Sequence, residues 1–298
     1  MNTEKLPHSD FMSLEKQSPP HKFRALLQCH FDVVNGCQLA CVGCPNSTLH
    51  PKVKRISEDD FATCLSNIDV KFISTLRLFN FGEPLLHDRL PALLKLLPQQ
   101  RWRTGEIEIS TNAQFVDWDM VEEIIRLRIL TRLVVSCDGD GTPAEYERLR
   151  PPSRWSRLET FLNKTSVLRE RYHPTLELMT RTICTDQDGQ ARWNDILQPL
   201  GWRPEFRQWM SLPQAAQDLG KEAAGIGVCG YLRERRVLYV TAEGDVVPCC
   251  YHPRAAMLGN LRNQTFNAIV AGQARASVLA QMRTGRGAMA ICGSCPSK

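Results

Sequence analysis

The sequence predicts an α/β protein, and two observations carry the prediction. From about residue 26 to residue 209 strand-like and helix-like segments alternate, which indicates a parallel sheet with helical crossovers. Six such units form a partial (β/α)6, TIM-like barrel, whose ligand site lies at the carboxyl ends of the strands. After residue 211 the alternation stops, and the chain predicts a small cysteine-rich unit of one hairpin and one helix.

Each element has a local signal. Short apolar runs predict buried strands over 26–34, 75–81, 106–111, 132–137, 176–184 and about 205–209. Helical periodicity predicts helices over 89–97, 117–127, 155–171, 191–200 and 266–282, the last apart from Gly272. Ser57 predicts the N-cap of a further helix with acidic residues in its first turn. Glu243-Gly244-Asp245 predicts the hairpin turn.

These signals divide the chain into three parts. Residues 1–24 are polar, contain three prolines and predict a flexible arm. Residues 25–210 form the predicted core domain, and residues 211–298 form the cysteine-rich domain. A chain of 298 residues is long enough for one large domain and one small one.

Composition narrows the class of protein. The hydrophobic content of 43% and the charged content of 23% are typical of a globular protein, and no apolar run approaches the roughly 20 residues that cross a bilayer. The first residues lack a secretory signal, so we expect a cytoplasmic protein without a membrane partner. Twelve cysteines in such a chain indicate metal or redox use, and the net charge of +5 is too scattered to indicate nucleic acid.

The most informative stretch is the loop with Cys37, Cys41 and Cys44, spaced C-x3-C-x2-C. Three thiolates from one tight loop can hold a four-iron cluster and leave one iron open for another ligand. A zinc loop is the alternative, but structural zinc needs a fourth ligand, and none is grouped with this triplet.

This motif resembles the signature of the radical S-adenosylmethionine (radical SAM) superfamily. The resemblance implies that the open iron binds SAM, which one electron cleaves to a 5′-deoxyadenosyl radical. It also implies an electron donor of the flavodoxin or ferredoxin type. Most members place an aromatic residue before the third cysteine to pack on adenine, whereas this chain has Gly43. Adenine must then be held by backbone or by another side chain.

Three further motifs resemble SAM-binding elements of the same superfamily. Gly82-Glu83-Pro84 is similar to the motif that binds the SAM amino group, although Phe81 replaces its first glycine. Thr111-Asn112 is similar to a pair that contacts the SAM ribose or carboxylate, and Ser136 is the candidate contact in a Ser-x-Asp-Gly strand end. On the residues alone, an ordinary turn and a helix cap leading to Asp117 also explain the first two. Asp138 and Arg150 are candidates for ordering the loop or for facing substrate.

The C-terminal cysteines form a second candidate site. Cys229, Cys249, Cys292 and Cys295 can supply four ligands, to structural zinc or to a second cluster. Their pattern resembles the SPASM auxiliary-cluster domain in its shortened form, called twitch, and the resemblance implies a second 4Fe-4S cluster. Cys250 is left over, as an alternative ligand, a hydrogen-atom donor to a substrate radical or a packed thiol. The remaining cysteines predict core positions: Cys29, Cys64, Cys137 and Cys184.

The resemblance implies a radical SAM enzyme that abstracts hydrogen from a substrate. We expect a small-molecule, sugar- or aminoglycoside-like substrate that is dehydrogenated with help from the auxiliary cluster. A radical epimerase that uses a cysteine thiol and a peptide-modifying maturase are the alternatives. A non-catalytic metal-binding module would need no SAM motifs, and three of them follow the cysteine loop in order.

Overall fold

The computed structural model describes residues 23–217, 223–233 and 236–298. Its strands are, in chain order, β1 (Ala25–Phe31), β2 (Val34–Asn35), β3 (Lys54–Arg55), β4 (Phe72–Arg77), β5 (Arg103–Thr111), β6 (Arg132–Asp138), β7 (Glu177–Ile183), β8 (Arg203–Arg207), β9 (Val237–Val240), β10 (Asp245–Val247) and β11 (Gly259–Asn260). Its α-helices are α1 (Asn46–Leu49), α2 (Glu58–Ser66), α3 (Leu90–Leu96), α4 (Trp118–Arg126), α5 (Pro143–Leu149), α6 (Trp155–Tyr172), α7 (Gln187–Leu197), α8 (Gly230–Arg233), α9 (Phe266–Ala271) and α10 (Gln273–Gly285).

The main sheet has the order β11-β10-β9-β1-β4-β5-β6-β7-β8. From β1 to β8 the six strands are parallel and neighbouring in both chain and space, as expected of a partial β/α barrel. The predicted fold class is therefore confirmed. Strands β2 and β3 form a separate antiparallel pair beside the cysteine loop.

The predicted hairpin is present as β9 and β10, but it is not separate from the core. Strand β9 pairs in parallel with β1, so the C-terminal hairpin continues the barrel sheet. Gly244 turns the hairpin with φ +79°, a conformation that favours glycine. The division near residue 210 stays a prediction, and residues 1–22 of the predicted arm lie outside the described residues.

Two predicted elements end differently in the structure. The strand predicted to reach residue 81 ends at Arg77, and the backbone N–H groups of residues 80–82 bond to a carboxylate instead of a neighbouring strand. The helix predicted over 266–282 is divided into α9 and α10 at Gly272, whose backbone is extended. The other predicted strands and helices are confirmed within a few residues at either end, and Ser57 caps α2 as predicted.

Burial explains how the layers form. Phe31 of β1 packs edge-on against Phe61 of α2, with ring centroids 5.0 Å apart, so the helices cover the face that Phe31 presents. Both side chains are fully buried. His30 points to the opposite face, because neighbouring residues of a strand alternate. Among the described residues, no helix is long and apolar enough to span a membrane.

Candidate cluster and cofactor sites

The loop with Cys37, Cys41 and Cys44, here called the triplet site, follows β1 and β2 at the carboxyl edge of the sheet. Two backbone bonds dock the loop on the connection between α5 and α6: Ala40 N–H to Pro151 at 2.7 Å, and Val42 N–H to Leu149 at 3.0 Å. The Cys44 N–H bonds to the Cys41 carbonyl at 3.0 Å and closes a tight turn. The loop therefore lies at the end of the sheet where a β/α barrel places its ligand site.

The three thiols share one electrostatic environment. Burial raises the pKa of Cys37 and of Cys44 to about 12, and it raises the pKa of Cys41 as well. A charge on Cys41 raises the pKa of both other thiols, and the nearby Arg150 guanidinium opposes all three shifts. Without a metal these thiols hold their protons, so metal binding here must release them.

The donor set of the triplet site fits a multi-iron cluster. The described residues include no group of three or more Cys, His, Asp or Glu side chains arranged around one metal ion. A cubane cluster binds each thiolate through a different iron, so its ligands need not converge on one point. Cys37 Sγ also accepts hydrogen bonds from the Leu39 N–H and from Asn112 Nδ2, each at 3.4 Å, which favours a thiolate there.

Asp32, which the sequence analysis missed, shapes the loop that contains Gly82. Its buried carboxylate accepts three consecutive backbone N–H bonds at Oδ1, from Asn80 at 2.7 Å, Phe81 at 3.0 Å and Gly82 at 2.9 Å. A Cβ atom at Gly82 would lie 1.6 Å from the Val34 carbonyl oxygen, so this close approach requires glycine. The signal in the sequence was an isolated acid at the end of an apolar strand.

Glu83 joins the predicted motifs into one structure. Its buried carboxylate accepts bonds from Thr111 Oγ1 at 2.7 Å and from the Asn112 N–H at 2.8 Å. Asn112 in turn reaches Cys37, as described above. The helix-cap alternative for Thr111-Asn112 fails, because Asp117 caps α4 itself. Burial raises the pKa of Glu83 to about 7, which these bonds oppose.

The last predicted motif lies on the neighbouring strand. Ser136 is half-buried on β6, opposite Arg181 of β7. Asp138 ends β6 and forms a buried ion pair with Arg150, the guanidinium beside the triplet site. The charge of Arg150 is thus balanced by a carboxylate, and the pair lies where the loop docks.

The space left by Gly43 is taken by Trp209, a second residue that the sequence analysis missed. A Cβ atom at Gly43 would lie 2.7 Å from Cζ3 of the Trp209 indole. Trp209 is half-buried and follows β8, the edge strand farthest from β1 among the six parallel strands. The aromatic ring absent from the cysteine loop is supplied beside that loop by another strand end.

The four C-terminal cysteines, here called the quartet site, are all buried. Burial raises the pKa of Cys249 to about 12 and raises those of Cys292 and Cys295. A charge on Cys229 raises the pKa of each of these three thiols further, so Cys229 lies near all of them. The structure therefore brings together cysteines that are far apart in the sequence.

Cys250, next to Cys249 in the chain, contacts tyrosine side chains. Its half-buried thiol donates to Tyr231 Oη at 3.8 Å. It also lies near Tyr239, whose pKa is raised by burial and then by Cys250. The Tyr239 ring stacks at 4.8 Å from the His30 ring on the inner face of the sheet. The predicted core cysteines, Cys29, Cys64, Cys137 and Cys184, are buried as expected.

A segment after β8 connects the two sites. The Gln217 N–H bonds to the Val42 carbonyl at 3.1 Å, and the Ala216 N–H bonds to Ser47 Oγ at 2.9 Å. At the same segment, Gln214 Oε1 lies 3.0 Å from Nε2 of His252, two residues after Cys250. One short stretch of chain thus contacts the loops that carry both sets of cysteines.

The inner face of the sheet is strongly polar. Glu108 of β5 is fully buried and contacts three guanidinium groups: Arg77 at 3.3 Å, Arg132 at 3.3 Å and Arg181 at 2.5 Å. Burial lowers the pKa of His30 to about 3, helped by Arg77 and Arg181, so this imidazole is neutral. The alternation of glutamate and isoleucine in β5 was the available signal, which the sequence analysis did not use.

Comparison with known proteins bears on the C-terminal part and on the fold. Residues 229–296 match SPASM, described as an iron–sulfur cluster-binding domain. No curated protein matches the chain significantly by sequence. The matched stretch contains all four cysteines of the quartet site.

Solved structures match nearly the whole chain. BtrN in complex with AdoMet and 2-DOIA has a TM-score of 0.56 at 15% identity, covering 92% of this chain and 94% of that chain. Native anSMEcpe with bound AdoMet and the Cp18Cys peptide has a TM-score of 0.60 at 13% identity, covering 90% and 88%. At these identities the likeness shows the fold. The barrel fold predicted from the sequence is thereby confirmed, and the match over residues 229–296 agrees with the predicted SPASM-type domain.

Proposed function

We propose that the protein is a radical SAM enzyme that cleaves AdoMet at the triplet site and oxidises a small polar substrate. One observation carries the proposal. The cysteine loop, Glu83, Asn112 and Trp209 come from separate parts of the chain and meet at the carboxyl edge of a parallel sheet. That edge is where a β/α barrel places its ligand site.

The chain's residues divide the work. Cys37, Cys41 and Cys44 would hold a 4Fe-4S cluster with one open iron, and the quartet site would hold an auxiliary 4Fe-4S cluster through Cys249 and not Cys250. When bound, the first cluster would supply the electron that cleaves AdoMet to a 5′-deoxyadenosyl radical, and the second would accept the electron that an oxidised substrate releases. A flavodoxin- or ferredoxin-type protein would be the electron donor.

AdoMet would be held by groups that surround the triplet site. The backbone around Gly82-Glu83-Pro84, fixed by Asp32 and by Glu83 itself, can offer carbonyl oxygens to the AdoMet amino group. Asn112 and Ser136 would contact the ribose or the carboxylate. The face of Trp209 would stack on adenine in place of the missing aromatic residue at Gly43.

The substrate would occupy the inner face of the sheet. His30, Arg77 and Arg181 offer neutral and cationic donors there, which suits a hydroxyl-rich or sugar-like molecule. The similar BtrN structure contains the small molecule 2-DOIA, which supports this class. The bound peptide of the similar anSMEcpe structure favours the peptide-modifying alternative, which the product test below can detect.

Cys250 supports a second candidate reaction. Its thiol lies near two tyrosines, and one of them stacks on His30 at the inner face. A thiol there could return a hydrogen atom to a substrate radical, which would make the enzyme an epimerase. The substrate would then keep its oxidation state, and a reductant would have to restore the thiol.

AdoMet cleavage tests the core of the proposal. After anaerobic reconstitution, the wild-type protein should hold about eight irons per chain from two cubane clusters and should release 5′-deoxyadenosine under reduction. The Cys37→Ala/Cys41→Ala/Cys44→Ala variant should keep about four irons and release none. Release of 5′-deoxyadenosine by this variant would disprove the assignment of the triplet site.

Product mass in deuterated water separates the reactions. A product two hydrogens lighter than its substrate shows dehydrogenation. Gain of one solvent deuterium without oxidation shows epimerisation through an exchangeable thiol, and Cys250→Ser should then abolish it. A modified peptide as the only product would replace the small-molecule proposal with the maturase alternative.

A further inference from the structure

Arg286 lies between α10 and the terminal Cys-x2-Cys and is almost completely buried, with 4% of its surface exposed. Its Nε donates to the Cys292 carbonyl at 3.1 Å, and its Nη2 donates to the Cys295 carbonyl at 3.0 Å. One planar guanidinium thus holds both ends of the loop that carries half of the quartet site. A lysine could not make both bonds in this fixed geometry.

The third nitrogen of Arg286 is not used by the protein. Within the part of the chain that the structure describes, Nη1 is buried without a hydrogen-bond partner, and no carboxylate forms an ion pair with Arg286. Nη1 lies 3.0 Å from where a Cβ atom on Gly225 would stand, and the Gly225 N–H bonds to the Cys295 carbonyl at 2.8 Å. Any larger residue at 225 would occupy the space beside this nitrogen.

A buried cation without a counter-charge is costly unless something negative lies nearby. Four thiolates and a 4Fe-4S cluster carry a net negative charge, and the quartet site is the adjacent group that can supply it. The charge of Arg286 already acts on these cysteines, because it opposes the rise that burial causes in the pKa of Cys292 and Cys295. By contrast, Arg150 beside the triplet site is paired with Asp138.

We propose that Arg286 is a positioning residue of the auxiliary cluster, and that its uncompensated charge raises the reduction potential of that cluster. Reduction adds one electron and therefore one negative charge, which a buried cation bonded to the loop of the ligands would stabilise. The auxiliary cluster thereby becomes the better electron acceptor of the two. This inference rests on the proposed function, namely that the quartet site holds a 4Fe-4S cluster.

A redox titration followed by electron paramagnetic resonance tests the inference. The full-length Cys37→Ala/Cys41→Ala/Cys44→Ala protein removes the first cluster, so the signal belongs to the auxiliary cluster alone. In this background, Arg286→Gln should shift the midpoint potential to a more negative value with iron content unchanged. The matched control is Arg283→Gln, which removes an exposed charge from the preceding helix and should leave the potential unchanged.

The outcomes separate the inference from the proposed function. Absence of about four irons in the triple variant before any change at Arg286 defeats the auxiliary cluster itself. Full iron content with an unchanged potential in Arg286→Gln overturns the inference and leaves the cluster intact. If Arg286→Gln loses its iron, Arg286→Lys tests the role of the charge instead, since lysine keeps the positive charge but lacks the planar guanidinium. Its potential should match that of the Arg283→Gln control, and a negative shift would overturn the role of the charge.

Discussion

The triplet site takes its cysteines from eight consecutive residues, whereas the quartet site gathers them from residues 229 to 295. The residues that support each site show the opposite pattern. The triplet site is supported by groups from distant loops, including Asp32, Glu83 and Asn112. The quartet site is closed locally, by Arg286 from the loop next to the Cys-x2-Cys.

The two sites also differ in the balance of charge. Arg150, beside the triplet site, forms a buried pair with Asp138, so the pair adds little net charge. Arg286 bonds only to carbonyl groups in the described part of the chain, so its full charge remains near the quartet site. Two clusters of the same type can therefore differ in potential because of the arginines beside them. That difference suits one donor and one acceptor of electrons.

Removal of two of the four quartet cysteines should have the largest effect of the changes considered, and it tests whether the two sites have separate functions. Cys292→Ala/Cys295→Ala should lose about four of about eight irons and all substrate oxidation, but it should still release 5′-deoxyadenosine. The triplet variant should also lose about four irons, but it should release no 5′-deoxyadenosine and should therefore oxidise no substrate. Cys184→Ala removes a buried thiol outside both sites and serves as the control. Loss of AdoMet cleavage in Cys292→Ala/Cys295→Ala with four irons retained would show that the sites do not function separately.

Asp32→Ala tests whether distant support maintains the triplet site. Three backbone N–H groups lose their buried acceptor, so the free energy of unfolding should fall by about 3 kcal/mol or more. Chemical denaturation measures this, and AdoMet binding should be lost while quartet iron remains. Ser57→Ala, which removes one helix cap, should cost only about 1 kcal/mol. An equal cost for both variants would contradict the role of Asp32.

The pH dependence of stability sharpens the same point. Burial raises the pKa of Asp32 from 3.8 to about 6, opposed by its three N–H donors and increased by the charge of Glu243. Between these values the folded state binds the proton more tightly than the unfolded state, so stability falls as pH rises from about 4 to about 6. The contribution of Asp32 to this fall in the free energy of unfolding is at most about 3 kcal/mol. In Asp32→Asn, denaturation curves should no longer show this fall in the free energy of unfolding between about pH 4 and about pH 6. Identical pH profiles for Asp32→Asn and the wild type would rule out the contribution of Asp32.

Trp209→Ala should have the smallest effect and should affect only the triplet site. Loss of a stacking face costs about 1–3 kcal/mol, so AdoMet affinity should fall by about tenfold or more. Equilibrium dialysis of the iron-loaded protein measures the affinity, and Trp209→Phe should recover part of it. Trp118→Ala, on the outer helix α4, should bind AdoMet normally. Normal binding by Trp209→Ala would remove this residue from the adenine site.

Local patterns were sufficient for most of the fold. Apolar runs and helical periodicity predicted all six parallel strands, because burial in a parallel sheet imposes such runs. The exceptions involve long-range bonds. The strand before Gly82 is shortened by Asp32, which is distant in the sequence, and β9 joins β1 across most of the chain. Neither contact leaves a periodic signal.

The sequence by itself determined the two sets of cysteines and the order of the motifs that resemble AdoMet-binding elements, since residue type and short spacing can be read directly from the chain. Only the tertiary structure decided which groups surround them. Trp209 fills the space at Gly43 and Arg286 binds the Cys-x2-Cys loop because distant segments pack together there. Whether a buried charge is paired, and which group an aromatic face contacts, depend on the surrounding residues, and these come together only when the chain folds.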